Sequence, residues 1–291
     1  MDLTEMDISK PKMKVRLAQI APRLGDVGRN RQTHLEAVRQ ARADGLDLLV
    51  FPELSLTGYY LRDLTAEVAI TADDPALREI AEAAGPMRTV VGFVERDAES
   101  RLFCSAAFTA DGAVRHIHRK VYLPTYGMFD EGRYLTPGEE VRAFDGGGWR
   151  GGLLICEDAW HLSLPLLLTR QWIDLMFIIS ASPARALAND RMGPQAAWED
   201  MLATYARHGQ CFVVYCNRAG FEDGVAFWGG SGVWAPSGQA VCRAPLLEEA
   251  MCECEIDLRD IAEGRMASPI LADERDDITL RELERILRGR A

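Results

Sequence analysis

The chain has 291 residues, 48% of them hydrophobic and 26% charged, with a formal net charge of −11. That length supports one large domain or two small ones around a substantial core, and the acidic surplus excludes a surface built to bind nucleic-acid phosphates. No apolar run approaches the length of a membrane-spanning helix, and Met1 to Met13 lacks the apolar core of a signal peptide, so residues 1–12 are expected to be a disordered lead-in. The seven cysteines are odd in number and lie mostly in apolar runs (Cys104, Cys211, Cys216, Cys242). Cys252 and Cys254 share one strand face, but two thiols do not make a metal site. Together they point to a reducing, cytoplasmic protein without structural disulfides.

Val15 to Ile20 reads as the first strand, and Asn30 to Asp44 as a helix with Leu35, Val38 and Ala41 on one face and Gly45 as its stop. Leu48-Leu49-Val50-Phe51 is a continuous apolar run, the pattern of a strand buried on both faces. Glu53 lies just past it, after Pro52, either as an exposed loop residue or as a placed functional group. A second helix is expected over Asp74 to Ala84. Three strands follow, Thr89 to Val94, Leu102 to Thr109 and Ala113 to Ile117, the last two joined by a hairpin turn at Asp111-Gly112. Lys120 ends this meander. The long irregular segment from Val121 to Glu140 carries Tyr122, Tyr126, Phe129 and Tyr134, and a loop of that length inside a compact domain is usually functional.

Gly151 to Ile155 reads as an apolar strand ending on Cys156 and turning into a helix. A thiol there stands near N–H groups that lower a cysteine pKa, which suits a nucleophile; the alternative is one more buried small residue. A very apolar helix is expected over Leu162 to Trp172, then a buried strand over Leu175 to Ser180, a helix over Pro194 to His208 and a strand over Phe212 to Tyr215. Further strands run over Val233 to Ala235, Gln239 to Arg243 and Met251 to Ile256. The second half repeats the first in outline, with no linker between them, so one domain of two packed sheets is expected. The tail from Asp276 to Ala291 places Leu280, Leu283 and Leu287 at helical spacing, a helix lying on the body or on a partner chain. His116 and His118 share one face of a strand, as a metal-binding pair would, but lack a third ligand.

Glu53, Lys120 and Cys156 thus sit at strand ends, and each residue type has a task in amide hydrolysis. A thiol attacks the carbonyl, a carboxylate moves protons, and a lysine stabilises the oxyanion, joined by the backbone N–H after the nucleophile, that of Glu157. Phe51-Pro52-Glu53-Leu54, Lys120-x-x-Leu123-Pro124 and Ile155-Cys156-Glu157-Asp158 resemble the three signatures of the nitrilase superfamily of carbon–nitrogen hydrolases, in that family's order. The stretches Phe129 to Tyr134, Asn217 to Gly220 and Gly229 to Gly238 agree with it, and the likeness covers roughly residues 14–257. The nearest subgroup is the glutaminase domain of glutamine-dependent NAD synthetases, on Glu53 to Tyr59, Leu123 to Glu131, Cys156-Glu157-Asp158 and Ile179 to Pro183.

The resemblance implies an α/β fold of the α-β-β-α sandwich type, two stacked mixed sheets flanked by helices, over residues 13–265, with 266–291 a partly helical tail. It implies a covalent thioester on Cys156, Glu53 as base, Lys120 as oxyanion stabiliser and Glu131 orienting Lys120 or the substrate, with neither metal nor cofactor. Tyr59, Tyr126, Phe129, Glu157 and Ser182 are the expected substrate contacts. The expected partners are a small-molecule amide and a second copy of the chain, pairing so that the helix after Cys156 lies at the dimer face. Two departures bear on substrate. No S-G-G-x-D-S pyrophosphatase loop of a synthetase half is present, and Ile179 stands where the subgroup has asparagine. The readings are therefore an amidase, a stand-alone glutaminase supplying a separate synthetase, or a nitrilase or N-carbamoyl amide hydrolase.

Overall fold

The computed structural model describes residues 12–184, 187–188 and 191–290. The lead-in expected over 1–12 lies outside them except for Lys12, which already belongs to a strand. In chain order the elements are β1 (Lys12–Gln19), α1 (Val27–Ala43), β2 (Leu48–Val50), α2 (Thr65–Val68), α3 (Pro75–Ala84), β3 (Arg88–Arg96), β4 (Leu102–Ala110), β5 (Ala113–Arg119), β6 (Ala143–Asp145), β7 (Arg150–Ile155), α4 (Ser163–Thr169) and β8 (Leu175–Ser180). A short ribbon of β9 (Leu187–Ala188) and β10 (Arg191–Met192) precedes α5 (Gly193–Gly209). Then come β11 (Phe212–Asn217), β12 (Ala219–Glu222), β13 (Val225–Trp228), β14 (Gly232–Trp234), β15 (Ala240–Arg243), β16 (Ala250–Asp257), α6 (Arg259–Ala267), α7 (Ile270–Asp273) and α8 (Asp276–Arg288). The junction expected after residue 265 falls inside α6.

Two six-stranded sheets carry the fold, in the orders β16-β1-β2-β3-β4-β5 and β15-β14-β11-β8-β7-β6. Each has a parallel centre, β1-β2-β3 in one and β7-β8-β11 in the other, with antiparallel strands outside it. This is the internal repetition visible in the sequence. The final strand β16 crosses back to pair with β1 and so ties the second half to the first.

The apolar run at β2 shows why the layers form. Leu48 and Val50 face the core between the sheets, while Leu49 and Phe51 face α1 and α3. Side chains alternate along a strand, so a continuous apolar run serves both layers. On the other side α4 and α5 cover the second sheet with Leu164, Leu168, Trp198 and Leu202. The result is the expected α-β-β-α sandwich.

Two boundaries and two elements differ from the sequence reading. α1 begins at Val27, because the Asp26 side chain caps the N–H of Arg29. α4 stops at Thr169 rather than running to Trp172, which adopts a left-handed φ of 59°. The short α2 and the hairpin β12–β13 were not expected. The hairpin had a legible signal in Asp223-Gly224, both at positive φ, as Asp111-Gly112 are in the expected turn between β4 and β5.

The strand end that carries Glu53 rests on Gly92 of β3. A Cβ there would lie 2.5 Å from the Leu54 nitrogen and 2.6 Å from the Pro52 oxygen, so only glycine lets this backbone approach. Gly92→Ala is expected to cost about 1–3 kcal/mol by overpacking, read as a lowered denaturation midpoint. Gly28→Ala, on the exposed side of α1, should be neutral or slightly stabilising.

Candidate active site

Lys120 follows β5, and its backbone is fixed on both sides. Its N–H donates to the Cys104 carbonyl at 2.8 Å, and its own carbonyl accepts from Gly138 at 2.7 Å. The side chain turns inward and is 1% exposed. Its ammonium donates to Glu53 Oε1 at 2.7 Å and to Glu131 Oε1 at 2.8 Å. Two of the three ammonium protons are thereby directed at carboxylates, and one donor remains.

Glu53 comes from the strand end after β2. Its Oε2 accepts from the Ala181 backbone N–H, 2.7 Å away at the end of β8. Glu131 comes from a single 3-10 turn inside the long loop, and the Tyr59 hydroxyl donates to the same Oε1 at 2.5 Å. Tyr59 is held in turn by Glu222 on the unexpected hairpin, whose carboxylate accepts from the N–H groups of Tyr59 and Tyr60 at 2.8 Å each. The buried Arg218 donates to that carboxylate at 2.7 Å.

Cys156 is the first residue of a 3-10 turn after β7, with a left-handed φ of 47°. It is 8% exposed, and its sulfur accepts a hydrogen bond from the Ser180 hydroxyl at 3.2 Å. The turn is locked by Asp158, which the sequence reading quoted in a motif without a role. One Asp158 oxygen accepts from the N–H groups of Val121 and Tyr122, the other from the N–H of Ile155 and from His118. Asp158 thus ties the Cys156 turn to the segment just after Lys120. His118 is that tie, not half of a metal pair, and His116 stacks on Phe144. Among the described residues no cluster of metal-ligating side chains exists.

Electrostatics corrects one expectation. The turn N–H groups do not bring the Cys156 thiol down. Burial pushes it well up, Glu53 adds to the rise, and Lys120 and Ser180 only partly oppose it. The resting sulfur is therefore a neutral thiol that needs a base. Burial pulls Lys120 down, but the charges of Glu131 and Glu53 outweigh it and hold the ammonium well above its ordinary value. Burial raises Glu131 to about 7 against the pull of Lys120. Tyr59 is pushed up by burial and by Glu131, so it remains a donor.

A cavity of about 330 Å³ opens onto Cys156. Tyr126, Phe129, Glu157 and Ser182 line it, together with Trp160 and Trp198, which the sequence reading did not single out. The Tyr126 hydroxyl donates to the Glu157 carboxylate at 2.9 Å. The Ser182 hydroxyl accepts from Trp198 Nε1 at 3.0 Å, so it faces the helix α5 as well as the cavity. Tyr59 stands behind Phe129 instead, at ring edges 6.4 Å between centroids, and lines a neighbouring cavity with Glu131. A larger cavity of about 390 Å³ lies near Arg119 and His116 and holds none of the expected site residues.

A family model described as Carbon-nitrogen hydrolase matches residues 14–266. The chain belongs to the carbon–nitrogen hydrolase family. Within it, the chain is 34% identical over 263 residues to the glutamine-dependent NAD(+) synthetase of Thermotoga maritima, covering 89% of this chain and 44% of that protein. Among solved structures, the glutamine-dependent NAD+ synthetase from Acinetobacter baumannii superposes with a TM-score of 0.78 at 30% identity, over 86% of this chain and 46% of that one. An amidase from Nesterenkonia sp. shares the fold, with a TM-score of 0.77 at 24% identity over 92% and 95% of the two chains. The chain thus spans about half the length of the synthetases it matches.

The buried charges predict a stability phenotype. Lys120→Met strands two buried carboxylates without a counter-charge, and loss of one partner from a buried ion pair costs about 3–5 kcal/mol. A proton on Glu131, which burial already raises to about 7, relieves that cost. Denaturation at pH 8 should therefore show the full loss and denaturation at pH 5 a smaller one.

Proposed function

We propose that the protein hydrolyses the C–N bond of a small-molecule amide through a thioester on Cys156. The observation that carries this reading is the buried Lys120 bridging Glu53 and Glu131 near Cys156, the only cysteine among the described residues that line the cavity. Glu53 takes the thiol proton as the sulfur adds to the carbonyl carbon. The oxygen that becomes negative accepts from the remaining Lys120 donor and from the Glu157 N–H, which lies in the first turn of a helix and has no acceptor within it. The proton on Glu53 passes to the nitrogen, the C–N bond breaks and ammonia leaves. Water then gives a proton to Glu53 while its oxygen adds to the thioester carbon. The sulfur departs, regains the proton from Glu53 and releases the carboxylic acid. Glu131 holds the Lys120 ammonium between the two carboxylates.

A second reading, a glutaminase that supplies ammonia to a separate synthetase, is supported by Glu157. Its carboxylate, steadied by Tyr126, is an anion in the cavity and fits the ammonium of an amino-acid amide. The synthetase relatives at 30–34% identity favour the same substrate. Nitriles and N-carbamoyl amides are the further alternatives. A cytoplasmic homodimer belongs to this account. Leu162, Leu166 and Leu167 stand exposed on and beside α4, the face on which the second copy would pack. No helix among the described residues is long and apolar enough to cross a membrane.

Ammonia release from a panel of glutamine, asparagine, aliphatic amides, N-carbamoyl amino acids and nitriles tests both readings. At least one amide should be turned over, and Cys156→Ala should lower its kcat/KM by about 10⁴-fold or more. Turnover by that variant at a similar rate would overturn the proposal. Indifference to glutamine at high concentration would remove the glutaminase reading alone.

A further inference from the structure

The ends of β7 and β8 lie side by side in the second sheet. These strands are parallel, and their last paired residues are Ile155 and Ile179. One step beyond that pair the register sets Cys156 against Ser180. The Ser180 hydroxyl is completely buried and donates to the Cys156 sulfur at 3.2 Å. The next residue, Ala181, donates its backbone N–H to Glu53. Two successive residues at the end of one strand therefore touch both the thiol and the carboxylate that would take its proton.

We propose that Ser180 is a further catalytic residue, whose hydroxyl holds the Cys156 sulfur and stabilises the thiolate as Glu53 removes its proton. This rests on the reading of Cys156 as the nucleophile. The chemistry is simple in balance. The thiol proton goes to Glu53, the Ser180 proton stays on its own oxygen, and only the strength of the O–H···S hydrogen bond changes. A hydrogen bond to an ionised acceptor is about twice as strong as one between neutral groups, so the interaction favours the charged sulfur over the thiol. The need is acute here. The sulfur is buried, and the neighbouring carboxylate disfavours a second negative charge, so each donor aimed at it counts.

Ser180 is also placed to lose its hydroxyl without losing the strand. Its backbone is paired with Asn217 on β11, and its carbonyl accepts from the Arg218 N–H at 3.1 Å. Neither bond uses the side chain.

The test is the pH dependence of Cys156 alkylation by iodoacetamide, followed by peptide mass in the intact protein and in three folded variants. Ser180→Ala should move the alkylation midpoint up by about one pH unit, which is a tenfold loss of rate at neutral pH. Ser180→Cys, a weak donor of similar size, should move it in the same direction, and Ser180→Thr should keep the original midpoint. The kcat of Ser180→Ala should fall with little change in KM. An unchanged or lower midpoint in both Ser180→Ala and Ser180→Cys overturns the role of Ser180 and leaves the nucleophile reading standing. A Cys156 that takes no alkyl group in the unaltered protein overturns both.

Discussion

A single ammonium buried between two carboxylates is the interaction on which the rest of this site depends. Lys120 is shielded from water, and a charge so placed persists only if paired. Glu53 and Glu131 provide the pairing at 2.7 and 2.8 Å, and each is anchored elsewhere, Glu53 by the Ala181 N–H and Glu131 by Tyr59. The cluster therefore couples three distant parts of the chain: the end of β2, the end of β5 and the long loop. The end of β8 joins them through Ala181. Moving any one of these segments disturbs a charge that has no solvent to fall back on.

The sandwich exists to make that convergence. Parallel central strands place their carboxyl ends on one edge, where β2 delivers Glu53, β7 delivers Cys156 and β8 delivers Ser180. The lysine arrives from an antiparallel meander, and Asp158 fastens the Cys156 turn to the chain beyond it. Gly92 keeps the Glu53 segment close to β3, and Gly138 plays the same part beside Arg119, whose carbonyl leaves no room for a Cβ. The cost of this crowding shows in the backbone, since Leu54 and Cys156 both adopt left-handed φ values that non-glycine residues seldom take.

The sequence made the sheets legible where local chemistry decided them. The run Leu48 to Phe51 could only be a strand covered on both faces, and Asp111-Gly112 named its hairpin. Glu53, Lys120 and Cys156 were legible as a set because their motifs recur in order. What stayed hidden depends on pairing between distant strands. Ser180 meets Cys156 only through the β7–β8 register, and Glu222 reaches Tyr59 only because a hairpin folds across to it. The direction of the Cys156 shift was hidden for a related reason. A turn N–H is visible in a motif, whereas burial beside a carboxylate is a property of the assembled core, and here burial is the larger effect.

The corrected state of the sulfur sharpens the chemistry. In the proposed mechanism a thiol beside a carboxylate hands over its proton as it attacks, and the acyl group passes through that sulfur. Acid quenching of the protein during turnover of an amide, followed by digestion and mass measurement, tests this directly. The peptide carrying Cys156 should gain the mass of the substrate less ammonia, and hydroxylamine should remove it. Turnover with the acyl group on another residue, or with Cys156 unmodified under conditions that preserve thioesters, would contradict the account.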